Sequence, residues 1–398
     1  MSSSATRELP YERGSLLPDT SADLSKLRAA WRIVRRRHAE GTLLNFTGLE
    51  RSLDLDPGEL DIADDDVAPA LLGERLTELA LEHLGGVAGR DDVFVANRLT
   101  AAVVAAMQVL VRPGTTVVGV SPSYTHPAVV RAVRLAGGDF VEGGSIDNAA
   151  LVVLTRLAVT YEALDLEQIE AVTSSGVPVF VDDAGGARVG PAVLGQPKML
   201  ELDVVAGATG LDKYGTSGPR LGLLAGRAKL VARIRARATE LGLEARPMLY
   251  PAVVHSLERY RPERVRELVA ATNELGDALE GPLGDVVTRT PVAVKLEAEA
   301  ILAEAAARAG RQATDCYLVP YEATAALAML LLRDHGILTV HFAALPPGTS
   351  ALLLKFVPPE VLERFGGAET FAAAVDESLD ELGRLVDSRD RLRELLGV

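Results

Sequence analysis

The sequence predicts an α/β protein: a large domain with a mainly parallel sheet covered by helices on both faces, followed by a smaller α+β domain. Three observations predict it. Short apolar, β-branched runs alternate with amphipathic helical stretches from about residue 68 to residue 225, the pattern of strands buried on both faces. After about residue 250 that alternation loosens, and helical stretches outnumber strands. At 398 residues the chain is also too long for one ordinary core.

Taken in order, residues 1–20 are polar, contain proline and read as a loose arm. Leu24, Leu27, Trp31 and Val34 recur at helical spacing, so a helix capped by Ser21 is expected through His38. Residues 41–66 are rich in acids and read as an irregular connection, either a subunit-contact arm or a surface loop. A helix over Ala68–Leu84 precedes the strand Val93–Ala96, and a helix over Leu99–Val111 precedes the strand Thr115–Val120. There follow a helix His126–Leu135, strands Phe140–Val141 and Leu151–Thr155, a helix Leu166–Val172, and strands Val177–Val181, Val204–Gly207 and Leu221–Ala225. The C-terminal part reads as helices Pro262–Leu279, Ala298–Ala307, Glu322–Leu332 and Ala368–Leu396 with strands Val292–Leu296, Leu338–Phe342 and Ala351–Val357.

Composition narrows the function. The 41 Lys and Arg against 55 Asp and Glu give a net charge of −14, which opposes a phosphate backbone as partner. The basic run Arg32–His38 distributes its charges round a helix and reads as a solvated face. One cysteine, Cys316, allows neither an intramolecular disulfide nor a multi-cysteine zinc site, and no metal is expected. The first residues lack the apolar core of a secretory signal, and no apolar run is long enough to span a bilayer. A cytoplasmic protein with no membrane partner is the expectation.

Three segments carry chemistry, each at the carboxyl end of an expected strand, where open α/β sheets bind ligands. In Val177–Arg188 an apolar strand ends in Asp182 and Asp183. A half-buried carboxylate needs a partner, and a protonated pyridine nitrogen is one; the alternative is that either aspartate caps the next turn. In Val204–Arg220, Lys213 lies just past a strand in a loop of Gly and Thr. That placement suits a Schiff base, with small residues letting a cofactor approach and hydroxyls holding its phosphate; the alternative is a lysine on an exposed turn. In Val93–Ala102 a strand runs into a helix N-terminus at Asn97, Arg98 and Thr100, an anion site, unless Asn97 is simply a cap. Between them His126 opens a helix, placed either to stack on a cofactor ring or to make a helix-start contact.

The order of these segments resembles fold-type I pyridoxal-phosphate (PLP) enzymes, those with the aspartate-aminotransferase fold. The stretch His126–Val141 is similar to the cysteine-desulfurase pattern. Closer still is the selenocysteine-synthase-like group, relatives of L-seryl-tRNA(Sec) selenium transferase. The matching stretches are Leu43–Gly48, Glu82–Gly86, Asn97-Arg98, Arg134–Gly137, Val179–Val189, Leu211–Gly226 and Glu240–Ala245, which together cover roughly residues 40–260.

The resemblance implies a seven-stranded, mainly parallel sheet in a PLP-binding domain over 61–255, with an N-terminal arm and helix over 1–60 and a small domain over 256–398. It implies Lys213 as the Schiff-base lysine, Asp182 as the partner of the pyridine nitrogen, and His126 as the ring-stacking residue. Asn97, Arg98 and Thr100 are implied near the phosphate. Where the group has a phosphate-binding serine this chain has Gly210, so Thr209 or a residue of a neighbouring subunit substitutes. A homodimer or larger homo-oligomer is implied too.

The acidic surface argues against a charged tRNA as substrate, and a free, unusual α-amino acid is expected instead. Arg188, Arg220 and Lys355 are the candidates for its carboxylate. The Ala-, Arg-, Gly- and Leu-rich composition suggests a high-GC bacterium, and some relatives in natural-product pathways look like O2-using decarboxylases that turn a glycyl-nucleoside into a carboxamide. That reaction is the leading expectation. The alternatives are β-elimination or replacement, retro-aldol cleavage, selenium transfer, and a catalytically silent scaffold.

Overall fold

The computed structural model describes residues 9–342, 345 and 347–398. The chain divides into two compact units, one of residues 49–266 and one that joins the residues up to 48 with residues 267–398. The N-terminal segment expected over 1–60 is thus shared between units, and residues 1–8 of its arm lie outside the described residues.

The unit of residues 49–266 is built on seven strands: β1 (Asp91–Ala96), β2 (Thr116–Val120), β3 (Asp139–Glu142), β4 (Leu151–Leu154), β5 (Val179–Asp182), β6 (Ala206–Gly210) and β7 (Gly222–Arg227). Their spatial order is β1-β7-β6-β5-β4-β2-β3. β7 is antiparallel to β1 and to β6, and every other pairing is parallel. The antiparallel step has a local cause: parallel neighbours need a crossover of about a dozen residues or more, usually helical, whereas β6 reaches β7 through a helix-free loop that carries Lys213.

Two apolar layers cover the sheet. Phe94, Val117 and Phe180 pack with helices Leu99–Leu110, Pro127–Leu135 and Ala228–Glu240. Val93, Val152 and Val181 point the other way, into helices Val67–Leu84, Leu166–Thr173 and Tyr250–Glu258. All residues of β4, β5 and β6 are buried, which is why Leu151–Leu154 and Val179–Val181 read as apolar runs and β6 is built of small residues. Each large apolar side chain so buried stabilises the fold by roughly 1.5–3 kcal/mol.

In the second unit, strands Val287–Thr290, Ala293–Leu296 and Leu352–Lys355 form an antiparallel sheet with Ala293–Leu296 in the middle. Helices Thr20–Ala39, Ala298–Arg308, Pro320–His335, Ala368–Leu385 and Arg389–Leu396 supply much of its core.

Several expectations are corrected. Asp19, not Ser21, caps the first helix, its carboxylate accepting from the Ala22 N–H at 2.8 Å. The helix expected over Ala368–Leu396 is two helices, broken around Asp387 and Ser388, both weak helix formers. The strand expected over Leu338–Phe342 is only Ile337–Leu338, because its partner Leu44–Asn45 offers two residues; a 3-10 turn, Val340–Phe342, follows. Strand Val287–Thr290 and helices Gly186–Val193, Ala228–Glu240 and Tyr250–Glu258 were not expected. No described helix is long and apolar enough to cross a membrane.

Candidate active site

The carboxyl ends of β5 and β6 bring Asp182 and Lys213 together. Asp182 pairs in register with Ala208, and alternation along β6 puts Gly210 on the same face as Ala208. Lys213 folds back over that strand end: a Cβ on Gly210 would stand 2.9 Å from Lys213 Cε and 3.2 Å from Cδ. The turn holding the lysine is tightly specified. Thr216 Oγ1 accepts from the Lys213 N–H at 3.2 Å and donates to its carbonyl at 2.7 Å. Tyr214 adopts a left-handed φ of 48°, a conformation that a bulky residue takes only when its surroundings impose it. Those surroundings are a hydroxyl–hydroxyl bond with buried Tyr161 and close packing on Gly185, where a Cβ would approach the Tyr214 ring to 2.7 Å.

The electrostatics point to a pair held back from full ionisation. Asp182 is 5% exposed, and its carboxylate makes no hydrogen bond or ion pair among the described residues. Burial raises its pKa to about 6, Lys213 pulling it down and Asp183 pushing it up. Lys213 is half-buried. Burial lowers its pKa, opposed by Asp212 and Asp182 and assisted by Arg220 and Arg51. Asp212 is itself buried and bonded to Arg51 Nε at 2.8 Å. Burial pushes its carboxyl up, but Lys213, Arg51 and Arg220 together hold it below the ordinary value.

Cations gather at the mouth. Arg220 has its pKa lowered to about 10 by partial burial and by repulsion from Arg51 and Arg98, against attraction from Asp212. Arg98 and Thr100 are exposed at the start of helix Leu99–Leu110, as an anion site requires. Gly222 is obligatory beneath them, since a Cβ there would lie 2.6 Å from the Arg98 carbonyl oxygen. Asn97 is not the cap; its amide reaches the Gly242 carbonyl at 3.4 Å and its N–H the Leu243 carbonyl at 3.0 Å.

His126 does cap its helix, Nδ1 accepting from the Ala128 N–H at 3.1 Å. That bond assigns the ring proton of the neutral imidazole to Nε2. Burial, then Lys213 and Arg131, lower its pKa to about 4, so the ring is an uncharged face beside the lysine. Glu142 anchors the preceding turn, accepting from the Thr125 N–H at 3.0 and 3.1 Å and from its hydroxyl at 3.0 Å.

Two predicted residues, Thr209 and Arg188, stand apart from this group. Alternation turns Thr209 to the opposite face of β6 from Gly210, where its buried hydroxyl accepts from Arg188 Nη1 at 3.0 Å. That correction removes Thr209 from the lysine's side of the strand. Arg188 is fully buried with Thr209, and burial lowers its pKa to about 10. Lys355 belongs to the other unit; it is buried, and its ammonium donates to the Thr47 carbonyl at 2.7 Å.

Sequence reasoning missed Arg51, Asp212, Thr216, Tyr161 and Tyr214. It also missed Arg156, a lone arginine just past β4. Arg156 and Asp183 form a fully buried ion pair, Nε to Oδ1 at 3.1 Å with a second bond from Nη2 to Oδ2. Asp183 is therefore held by Arg156, whereas the Asp182 carboxylate has no hydrogen bond or ion pair among the described residues. Among the described residues one trio, Asp56, Glu59 and His255, brings possible metal-binding atoms within 4.8 Å, and His255 Nε2 already contacts Glu59 at 3.0 Å.

These residues fit pyridoxal phosphate. A buried Asp182 with no hydrogen bond among the described residues suits a protonated pyridine nitrogen, a lysine of depressed pKa suits an aldehyde, and the exposed helix start at Arg98 suits a phosphate. Fold and site define a fold-type I PLP-dependent enzyme.

Relatives agree. A UPF0425 pyridoxal phosphate-dependent protein of Methanothermobacter thermautotrophicus is 31% identical over 351 residues, covering 85% of this chain and 88% of the relative. A second from Methanosphaera stadtmanae is 30% identical, covering 77% and 80%. The chain belongs to this UPF0425 group of PLP-dependent proteins. No family model matches the chain. Among solved structures, the fold is similar to a serine palmitoyltransferase of Sphingomonas wittichii (TM-score 0.59, 16% identity, 86% of this chain and 88% of that one). It is also similar to a probable N-succinyldiaminopimelate aminotransferase of Thermus thermophilus (TM-score 0.57, 15% identity, 89% and 100%).

Proposed function

We propose that this enzyme acts on a free, unusual α-amino acid rather than on a charged tRNA, as a selenocysteine-synthase-like member of fold type I in bacterial natural-product biosynthesis. The observation that carries the amino-acid reading is the convergence of Arg51, Arg98 and Arg220 on the Lys213 mouth. Arg98 suits a phosphate, Arg51 is paired with Asp212, and Arg220, beside them, suits an amino-acid carboxylate. Arginine suits it because its planar fork matches a carboxylate.

When bound, PLP supplies a conjugated ring that accepts the electron pair left by bond cleavage at the substrate's α-carbon. The chain's own residues do the rest. Asp182 holds a proton on the ring nitrogen, and Arg98 and Thr100, with Asn97 bracing the strand end, hold the phosphate. His126 offers its uncharged ring as a stacking face. Arg220 orients the carboxylate, and Lys213, with its lowered pKa, moves protons at the α-carbon. The resemblance to fold-type I enzymes implies a homodimer or larger homo-oligomer, which belongs to the proposal.

For the reaction we propose O2-dependent oxidative decarboxylation of a glycyl-nucleoside-type amino acid to a carboxamide. It balances as R–CH(NH2)–COOH + O2 → R–C(O)NH2 + CO2 + H2O. What supports it is the resemblance together with the acidic charge of the chain. An oxygen electrode and CO2 trapping test it: equal amounts of O2 consumed and CO2 released are expected, with carboxamide as product. Product forming over a flat oxygen trace overturns the oxygen chemistry. Failure of borohydride to fix the cofactor on Lys213 overturns the lysine assignment.

A further inference from the structure

The sequence reads Arg32–His38 as a solvated face with its charges spread round a helix. Arg32 and Arg36 are indeed exposed, and both also border one concavity. Helices Thr20–Ala39, Pro320–His335, Ala368–Leu385 and Arg389–Leu396, all in one unit, frame a cavity of about 440 Å³. Arg32, Arg36, Arg333 and Arg391 line it, with Glu394 the one carboxylate among its lining residues. Its apolar lining includes Ile33, Met329 and Leu395. Asp334 and Glu381 stand beside the lining and pair with Arg333 and Arg391, so the positive charge not offset by an ion pair among the described residues rests on Arg32 and Arg36.

The four arginines are not equally committed. Arg333 is held by Asp334 at 2.7 and 2.8 Å, and Arg391 approaches Glu381 at 3.3 Å. Among the described residues the Arg36 side chain reaches only the Arg333 carbonyl, at 3.5 Å. Arg32 makes no hydrogen bond or ion pair among the described residues. Arg32 and Arg36 stand one helical turn apart, so their guanidiniums serve the same face. Arginine stems commonly lie over apolar surface while their heads stay wet, but that habit does not gather four heads around one concavity.

We infer that this cavity is a second small-molecule site, for an amphipathic oxyanion: a carboxylate or phosphate carried on a short apolar or aromatic body. Its volume falls within the range of roughly 300–1,000 Å³ usual for small-ligand pockets. Guanidiniums recognise planar or tetrahedral oxyanions through paired N–H donors. An apolar body would lie on the arginine stems and on half-buried Ile33, since Met329 and Leu395 are already buried beneath them. The site shares no residue with the Lys213 group, so its occupancy is measured independently of turnover.

The test uses the PLP-loaded full chain. Anilinonaphthalene sulfonate is the probe, with its aromatic body and sulfonate head. Trp31, the chain's only tryptophan, precedes Arg32 and serves as the energy-transfer donor that locates the bound probe. Saturable binding with quenching of Trp31 emission is expected, at least tenfold weaker in the exposed double variant Arg32→Glu/Arg36→Glu. Arg35→Glu, on the same helix but outside the lining, should bind as the wild type does. Decanoate and adenosine 5′-monophosphate, presented as competitors, distinguish an acyl carboxylate from an aromatic phosphate, and displacement by either supports the site. Equal weakening by Arg35→Glu overturns it, as does unchanged binding in the double variant. Displacement by inorganic phosphate as effective as by decanoate and adenosine 5′-monophosphate overturns the amphipathic class. Probe binding that appears only when sedimentation shows self-association overturns the small-molecule assignment in favour of a second copy.

Discussion

Asp182→Asn in the cofactor-free protein should separate stability from cofactor retention. The Asp182 carboxyl is shifted from 3.8 to about 6, a difference of about two units, and each unit corresponds to about 1.4 kcal/mol. Because the folded state binds this proton more tightly than the unfolded state, the stabilisation is present at low pH and is lost as pH rises from about 4 through 6. At pH 8 the ionised carboxylate then costs the cofactor-free fold roughly 3 kcal/mol. Asparagine removes that pH-dependent cost but leaves a buried amide without a partner, at about 1–3 kcal/mol. The variant should therefore be close to the wild type at pH 4, where both carry a neutral buried group without a partner, and the more stable protein at pH 8. The difference between the two should move by roughly 2–3 kcal/mol across that interval. Urea unfolding of cofactor-stripped protein, followed by far-ultraviolet circular dichroism at each pH, reads that difference. Parallel pH profiles for the two proteins would refute the claim that residue 182 is an unpartnered buried acid. In the same samples the variant should hold PLP at least tenfold less tightly, because an amide cannot neutralise a pyridinium nitrogen. Wild-type affinity should fall as the carboxyl protonates below about pH 6.

Other outcomes follow from the same geometry. Lys213→Ala should fold normally yet carry no borohydride-fixed cofactor, read by peptide mass after reduction. Gly185→Ala places a Cβ 2.7 Å from the Tyr214 ring; overpacking costs about 1–3 kcal/mol, and displacement of the Lys213 turn should lower kcat while cofactor content, read by absorbance, shows whether the pocket persists. Arg220→Ala should raise KM for the amino acid at least tenfold with a smaller change in kcat, and partial rescue by acetate would confirm a carboxylate contact. Buried Lys26 has a pKa lowered from 10.5 to about 8, burial outweighing Asp23. The folded state there binds its proton less tightly than the unfolded state, so stability should rise between pH 8 and 10. Lys26→Met should flatten that rise, seen by chemical unfolding at the two pH values.

The large sheet was legible because its strands are buried on both faces and so are written as plain apolar runs. Lys213 and Asp182 were legible because each follows such a run and breaks it with a charge. What the pattern hides is partnership across long separations. Arg156 reaches Asp183 and Arg51 reaches Asp212, and each alone looks like an ordinary surface arginine. Thr209 misled for a related reason: a hydroxyl near a lysine in sequence suggests a phosphate ligand, but a strand's period of two sends adjacent side chains to opposite faces. Helix Gly186–Val193 was invisible because its glycines and Pro191 argue for a loop by propensity, and tertiary packing overrides them. Gly185 meets Tyr214, and Gly186 lies so close to Asp183 that a Cβ would stand 2.2 Å from its Oδ1.

Asp182 and Asp183 show how the fold turns two like residues to unlike ends. Both are buried, so both require a compensating charge. Asp183 finds one inside the protein, in the paired N–H groups of Arg156, and that need is met before any ligand arrives. Asp182 finds none, and the nearby Lys213 is subject to the same burial with the opposite effect: the acid is driven up and the base down, each toward its neutral form. Direct contact between them would satisfy both and leave nothing for a cofactor. The structure keeps them electrostatically aware of each other but unbonded, so a molecule with an aldehyde at one position and a basic ring nitrogen at another relieves both at once. On this account, shortening the gap with Asp182→Glu should stabilise the cofactor-free protein while weakening PLP binding, and an increase in both would show that the gap serves no such purpose.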